Sequence, residues 1–120
     1  MRSVLLVARG FSDQGAIAEM EEVRVAFAQE TGLRTVRHAF VEIASPSIAE
    51  GIQACLASQT KKVVVLPYLL FPGSMLEKIR DQVEAIRSGQ TGESLILVAD
   101  CLGPHPKLAE LLIERIRKEL

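Results

Sequence analysis

The 120 residues carry 48% hydrophobic and 24% charged side chains with a net charge of −1. This is ordinary globular composition: residues 1–120 read as a single domain, and a disordered tail or fibrous repeat is excluded. The balanced charge offers no basic field to nucleic acid or an anionic membrane, and no apolar run approaches the roughly 20 residues of a spanning helix. The opening Met1-Arg2-Ser3 followed by Val4–Ala8 is too short for a secretory segment. Cys55 and Cys101 form no C-x-x-C motif and no disulfide framework, so a reducing, cytoplasmic setting is expected. Mean hydropathy of +0.23 is slightly oily for so short a chain, a surplus that a second subunit would absorb.

In chain order, Val4–Ala8 is a continuous apolar run, the pattern of a parallel strand covered on both faces. Ala16–Glu30 follows with Ala16, Met20, Val23 and Phe27 at helical spacing and charges mostly elsewhere. Leu33–Glu42 mixes Arg34, Arg37 and His38 with Val36, Phe40 and Val41, which suits a half-exposed edge strand. Ser45-Pro46 predicts the start of a second helix, with serine as N-cap and proline at the first helical position; Cys55 lies within that helix as packing. Val63–Leu66 is the third strand. Ser74-Met75-Leu76-Glu77 fits the S-x-x-E capping pattern and predicts the third helix. Leu95–Ala99 is the fourth strand. Pro106 opens the last helix, where Leu108, Leu111, Leu112 and Ile116 form a stripe opposite Glu110, Glu114, Arg117 and Lys118.

The order β-α-β-α-β-α-β-α with right-handed crossovers predicts an α/β fold: a doubly wound four-stranded parallel sheet, flavodoxin-like, with strand order 2-1-3-4. In such sheets ligands bind beyond the carboxyl ends of the strands at the switch in strand order, here between the first and third strands. The segments to inspect are therefore 9–15, 42–46, 71–75 and 101–106. None holds a G-x-G-x-x-G or G-x-x-x-x-G-K-[ST] phosphate loop, a Ser/Thr-rich flavin nest, or the acidic cluster of a receiver domain.

What those segments do hold admits two readings at each position. Arg9-Gly10 either grips an anionic substrate or caps a neighbouring helix. Glu42 is either a metal ligand or proton acceptor, or a solvated carboxylate. Phe71–Met75 is a turn and cap with Met75 packed, the reading its chemistry favours, or part of a site. His105, between two prolines, is an N-cap or a ligand. Cys101 is core, or a soft thiolate near the site. His38 has no ligand-type residue at useful spacing and reads as structural or exposed.

Four segments together resemble a family. Val4–Asp13 (VLLVARGFSD) resembles the opening of the CbiX and SirB sirohydrochlorin chelatases, a strand followed by G-H-G-S-R-D. Phe40–Ser47 (FVEIASPS) is similar to their F-L-E-x-A-x-P-S segment. Val63–Gly73 (VVVLPYLLFPG) resembles V-V-P-x-F-L-F-x-G, and Leu102–Leu108 (LGPHPKL) matches L-G-x-H-P-x-L. The resemblance runs end to end and implies the chelatase α/β fold. It also implies insertion of Co²⁺ or Fe²⁺, as substrate metal, into sirohydrochlorin on the way to cobalamin or siroheme. No tightly bound cofactor is implied, and the short members resemble half of a two-domain chelatase and act as homodimers.

The resemblance also marks departures. The family's first site histidine falls on Arg9 and its second on Met75, leaving acidic Glu42 in place. Arginine stays protonated and has no free lone pair, and a thioether accepts no proton. An ordinary two-histidine site is therefore not expected. Should the chain be active, Glu42 carries metal or proton handling, with His105 as a weaker second ligand. Arg9 would then grip a tetrapyrrole carboxylate, with Gly10 and Ser74 as further substrate-binding residues. The alternatives are a non-catalytic tetrapyrrole-binding protein and a heterodimer partner of an intact chelatase.

Overall fold

The computed structural model describes residues 2–90 and 92–120. Strands β1 (Arg2–Ala8), β2 (Thr35–Phe40), β3 (Lys62–Pro67) and β4 (Leu95–Val98) alternate with helices α1 (Gln14–Thr31), α2 (Ile48–Ala57), α3 (Ser74–Gly89) and α4 (Pro106–Arg117). All strand pairs are parallel and the order is β2-β1-β3-β4, as the sequence predicts. The mixed second strand is indeed an edge, shorter than the apolar pattern at Leu33–Glu42 suggested.

Strand alternation divides the core in two. Leu5 and Val7 of β1, Val63 and Val65 of β3 and Ile96 of β4 face α2 and α3, where Ile48, Ile52, Cys55, Ile79 and Val83 complete a closed layer. The intervening residues Val4, Leu6 and Ala8 face α1 and pack on Met20, with Phe40 and Val36 from β2. Cys55 is fully buried in this layer, the packing residue that its helix position suggested, and burial raises its thiol pKa. At the far end of the closed layer Ser3 and Thr60 bond to each other through their buried hydroxyls.

Two helix starts differ from the sequence reading. Helix α2 is capped by Ser47, not Ser45: Ser47 Oγ accepts from Glu50 N–H at 3.1 Å while Glu50 Oε1 accepts from Ser47 N–H at 2.9 Å. Ser45 and Pro46, joined by a cis peptide bond, stay outside the helix, because Phe40 N–H is bonded to Pro46 C=O at 2.9 Å and holds that segment beside β2. Helix α3 is capped by Gly73, with Ser74 already helical and making no capping bond; Glu77 N–H reaches the Gly73 carbonyl at 3.1 Å. Helix α4 starts at Pro106 as predicted, with His105 as N-cap: its Nδ1 accepts from Lys107 N–H at 3.1 Å.

Both edges of the sheet are held by an arginine. Val41 N–H bonds inward to Ala8 C=O and Leu95 N–H inward to Lys61 C=O, so the carbonyls of Val36 and Ile96 point outward by alternation. Arg24 Nη1 donates to Val36 C=O at 3.0 Å, and Arg87 donates to Ile96 C=O through Nε and Nη2 at 2.8 and 2.6 Å. Each guanidinium is steadied by a glutamate one turn earlier, Glu21 and Glu84.

Helix α4 stands apart. It is amphipathic, yet none of its residues is buried, and Leu111, Leu112, Ile113 and Ile116 are all exposed. The chain measures 56 × 31 × 28 Å with a radius of gyration of 15.3 Å, against about 13.6 Å for a compact domain of this length. The loop leading into α4 is pinned to the one after β3, Leu102 N–H to Leu69 C=O at 2.9 Å and Gly103 N–H to Leu70 C=O at 2.6 Å.

Candidate functional site

The loops after β1 and β2 meet at the carboxyl end of the sheet, and the contact is made by a glycine. Gly10 has φ 127°, and a Cβ there would lie 1.9 Å from the Glu42 carbonyl oxygen. Only a residue without a side chain lets the two loops close. Glu42 N–H then donates to Arg9 C=O at 3.1 Å, which places Arg9 and Glu42 side by side. Both were read from the sequence as candidates, and the fold brings them together.

The backbone after Glu42 is strained. Ala44 N–H bonds back to Glu42 C=O at 2.8 Å across Ile43, whose φ is 73° and whose side chain is exposed. Positive φ in a β-branched residue is unfavourable and is retained where the surroundings force it. Here the bond to Arg9 on one side and the Phe40–Pro46 bond on the other fix the loop, holding Glu42 at the mouth of the sheet.

Helix α3 supplies two groups that sequence reasoning missed. Lys78 Nζ lies 3.1 Å from Glu42 Oε1 in a half-exposed ion pair, and Gln82 Nε2 donates to Val41 C=O at 3.3 Å. Lys78 lies one turn after Ser74 and Met75, so the only available signal was its i+3/i+4 spacing from them. Ser74 is exposed on the first turn. Met75 is half-buried and packs against the α2/α3 core, the placement its chemistry favours. Arg9 is exposed and its side chain has no hydrogen-bond or ion-pair partner among the described residues. His105 is exposed at the α4 N-terminus with Nδ1 occupied by its capping bond, which leaves Nε2 as its one open nitrogen. Among the described residues no three His, Cys, Asp or Glu side chains converge as a metal cluster.

A larger groove of about 520 Å³ lies elsewhere, outside edge strand β2, between α1 and α2. Part of its charged lining is satisfied internally, while Arg34 and Arg37 have no hydrogen-bond or ion-pair partner among the described residues. Arg24 holds Glu21 by hydrogen bonds of 2.5–3.0 Å, and that bonding keeps the Glu21 carboxyl below the usual glutamate range. His38, read as structural or exposed, lies here with Nδ1 3.1 Å from Glu21 Oε2 but not aligned for a hydrogen bond. The groove is at the side of the sheet, away from the switch point, and its ion pairs hold the β2 edge.

The CbiX family model matches residues 3–119. The chain belongs to the CbiX family. It is 31% identical over 118 residues to the sirohydrochlorin cobaltochelatase of Priestia megaterium, a match covering 98% of this chain and 38% of that protein. The sirohydrochlorin ferrochelatase of the same organism is 31% identical over 114 residues, covering 95% and 42%. The sirohydrochlorin cobaltochelatase of Sulfurisphaera tokodaii is 28% identical over 123 residues, covering 100% of this chain and 95% of that protein. The chain thus spans less than half of the two Priestia relatives and nearly all of the third. A crystal structure of a putative cobalamin (vitamin B12) biosynthesis CbiX protein from Marinobacter aquaeolei VT8 superposes with TM-score 0.82 at 18% identity over 99% of this chain and 94% of that one, which establishes the fold.

Proposed function

We propose that this CbiX-family chain handles a tetrapyrrole of the sirohydrochlorin class at the carboxyl end of its sheet and delivers Co²⁺ or Fe²⁺ to it as a homodimer in the cytoplasm. The observation that carries the reading is the Arg9–Glu42 pair, forced together by Gly10 where the loops after β1 and β2 meet at the carboxyl end of the sheet. The two groups divide the work. Arg9 has no side-chain partner among the described residues, and a guanidinium suits a bidentate grip on a substrate carboxylate and repels a cation placed on it. Glu42 meets the divalent ion or takes a pyrrole proton, and to do so it exchanges Lys78 for the new cation. His105 Nε2 is a weaker second ligand, and Gly10 and Ser74 line the approach. The matched lengths support two copies: one chain corresponds to under half of the long relatives, so a pair supplies what they hold in one polypeptide.

The test is to mix the purified protein with sirohydrochlorin and Co²⁺ or Fe²⁺ and follow the tetrapyrrole absorption against a protein-free control. Acceleration is expected, with Glu42→Gln reducing the rate while binding is kept, and Arg9→Glu weakening binding itself. A second reading, tetrapyrrole binding without metal insertion, is favoured by the lack of three converging metal-ligating side chains among the described residues. Binding with no acceleration anywhere between about pH 6 and 9, where imidazole and amine bases change state, selects that reading. No binding at high micromolar tetrapyrrole defeats both.

A further inference from the structure

Edge strand β2 mixes arginine and histidine into its pattern, and the fold uses only part of that charge. In the groove of about 520 Å³ outside the strand, Arg24, Arg34, Arg37 and His38 face two carboxylates, Glu21 and Glu50. Both carboxylates are committed. Arg24 donates to both oxygens of Glu21, and Glu50 Oε1 accepts the Ser47 N–H at the start of α2. Arg24 is committed in turn, to Glu21 and to the Val36 carbonyl. Arg34, from the turn between α1 and β2, and Arg37, the third residue of β2, are exposed and have no hydrogen-bond or ion-pair partner among the described residues. A lone surface arginine is commonplace; these two border a strand edge that itself has donors to offer.

Phe40 N–H points out of the sheet to Pro46 C=O, while Val41 N–H points inward to Ala8 C=O. By alternation the N–H groups of Val36 and His38 also point outward, into the groove that both residues line, and no strand lies beyond β2 to receive them. The Thr35 hydroxyl on the same wall makes no hydrogen bond among the described residues. His38 Nδ1 is buried and also without a hydrogen bond, 3.1 Å from Glu21 Oε2 but not aligned with it. We infer that this groove binds a phosphomonoester, its phosphoryl group bridging Arg34 and Arg37 across the β2 edge. A phosphoryl group carries about −1.5 to −2 charge at pH 7 and three acceptor oxygens, enough to engage two guanidinium forks and the edge amides together. A carboxylate brings one charge and two oxygens. Guanidinium geometry matches phosphate in a bidentate way, and sheet edges form anion-binding concavities. The groove falls within the roughly 300–1,000 Å³ of small-molecule sites. Phosphate fills only part of it, and the remainder, walled by Pro46, Gly51 and Ala54, takes a small organic body. The site lies on the flank of the sheet and is independent of the tetrapyrrole reading.

The experiment titrates the full chain with inorganic phosphate, phenyl phosphate and acetate at fixed ionic strength, by isothermal titration calorimetry and by ¹H–¹⁵N spectra of the labelled protein. Saturable binding of one phosphate per chain is expected, with the largest amide shifts at Val36 and His38. Phenyl phosphate should bind more tightly than phosphate, and acetate roughly tenfold or more weakly. Arg34→Ala and Arg37→Ala should each raise the phosphate dissociation constant roughly tenfold, and Arg37→Lys, which keeps the charge but loses the fork, by less. Both arginines are exposed, so far-UV circular dichroism and the urea midpoint should be unchanged; if alanine lowers the midpoint, Arg→Gln retains the packing of the stem and serves instead. Arg9→Ala should leave phosphate binding intact, and the Arg34 and Arg37 variants should respond to sirohydrochlorin like the unaltered chain. The proposal is overturned by the absence of saturation at about 20 mM phosphate, a concentration well above a millimolar dissociation constant. It is equally overturned by binding that survives Arg34→Ala with Arg37→Ala, or by binding lost in Arg9→Ala, which would put the anion at the mouth of the sheet. Acetate bound as tightly as phosphate, or phenyl phosphate bound no more tightly, removes the phosphomonoester assignment. None of these results bears on tetrapyrrole handling, which the absorption assay tests separately.

Discussion

The two faces of the sheet were built from the same kind of residues and ended differently. Toward α2 and α3, β-branched and leucine side chains from β1, β3 and β4 meet two helices, and Leu5, Val7, Ile52, Val63, Val65, Ile79 and Val83 lose all contact with water. Toward α1, the same alternation gives Val4, Leu6 and Ala8 a cover but leaves Leu95 and Leu97 bare. The strands are equally apolar on both faces; what differs is whether a helix is present. Local sequence therefore specifies each surface, whereas its cover depends on where the helices come to lie.

This comparison can be broken by mutation. The largest expected effect is on the closed face: Ile79→Ala should cost about 2–5 kcal/mol, transfer and cavity terms together, measured by urea unfolding. Leu112→Ala, on α4, should stay within about 0.5 kcal/mol at concentrations where the chain is monomeric, since Leu112 is 68% exposed. Comparable losses at the two positions would remove the distinction. Helix caps repeat the contrast on a smaller scale. Ser47→Ala removes the capping pair that starts a packed helix and should cost about 1 kcal/mol. His105→Ala removes the cap of an unpacked helix and should change α4 helicity while the unfolding midpoint barely moves.

The smallest effect is the acid dependence. The Ser47 backbone N–H holds the Glu50 carboxylate, lowering its pKa below the ordinary value of 4.5. A depressed folded pKa gives stability that is present above the unfolded value and lost as pH falls through the folded one. Unfolding midpoints should therefore fall below about pH 4.5, with a shallower fall in Glu50→Gln. A steeper fall in that variant would show that Glu50 opposes the cap.

Strands and topology were legible because strands buried on both faces leave uninterrupted apolar runs, and the helices between them fix the order. Helix starts were less so. Ser45-Pro46 and Ser47-x-x-Glu50 are both valid start signals two residues apart, and the choice was made by the bond from Phe40 N–H to the Pro46 carbonyl. Ser74-x-x-Glu77 is likewise a good local pattern, displaced by one residue because Gly73 occupies the cap. At the candidate site Arg9, Gly10 and Glu42 were readable from their loops, whereas Lys78 became a neighbour of Glu42 only when α3 packed under the β2 loop. The apolar stripe of α4 was plain in the sequence, but nothing in the periodicity of a helix says which sheet it will meet.

Arg24 and Arg87 give this arrangement a further property. Strand margins with free carbonyls invite growth by lateral pairing, and a chain that also carries loose apolar surface is the kind that polymerises. With a guanidinium clasping each margin, the route to fibres by strand addition is obstructed at Val36 and Ile96. Self-association is thereby steered toward sticky faces and away from ragged borders, a bias that favours finite particles over open-ended ones.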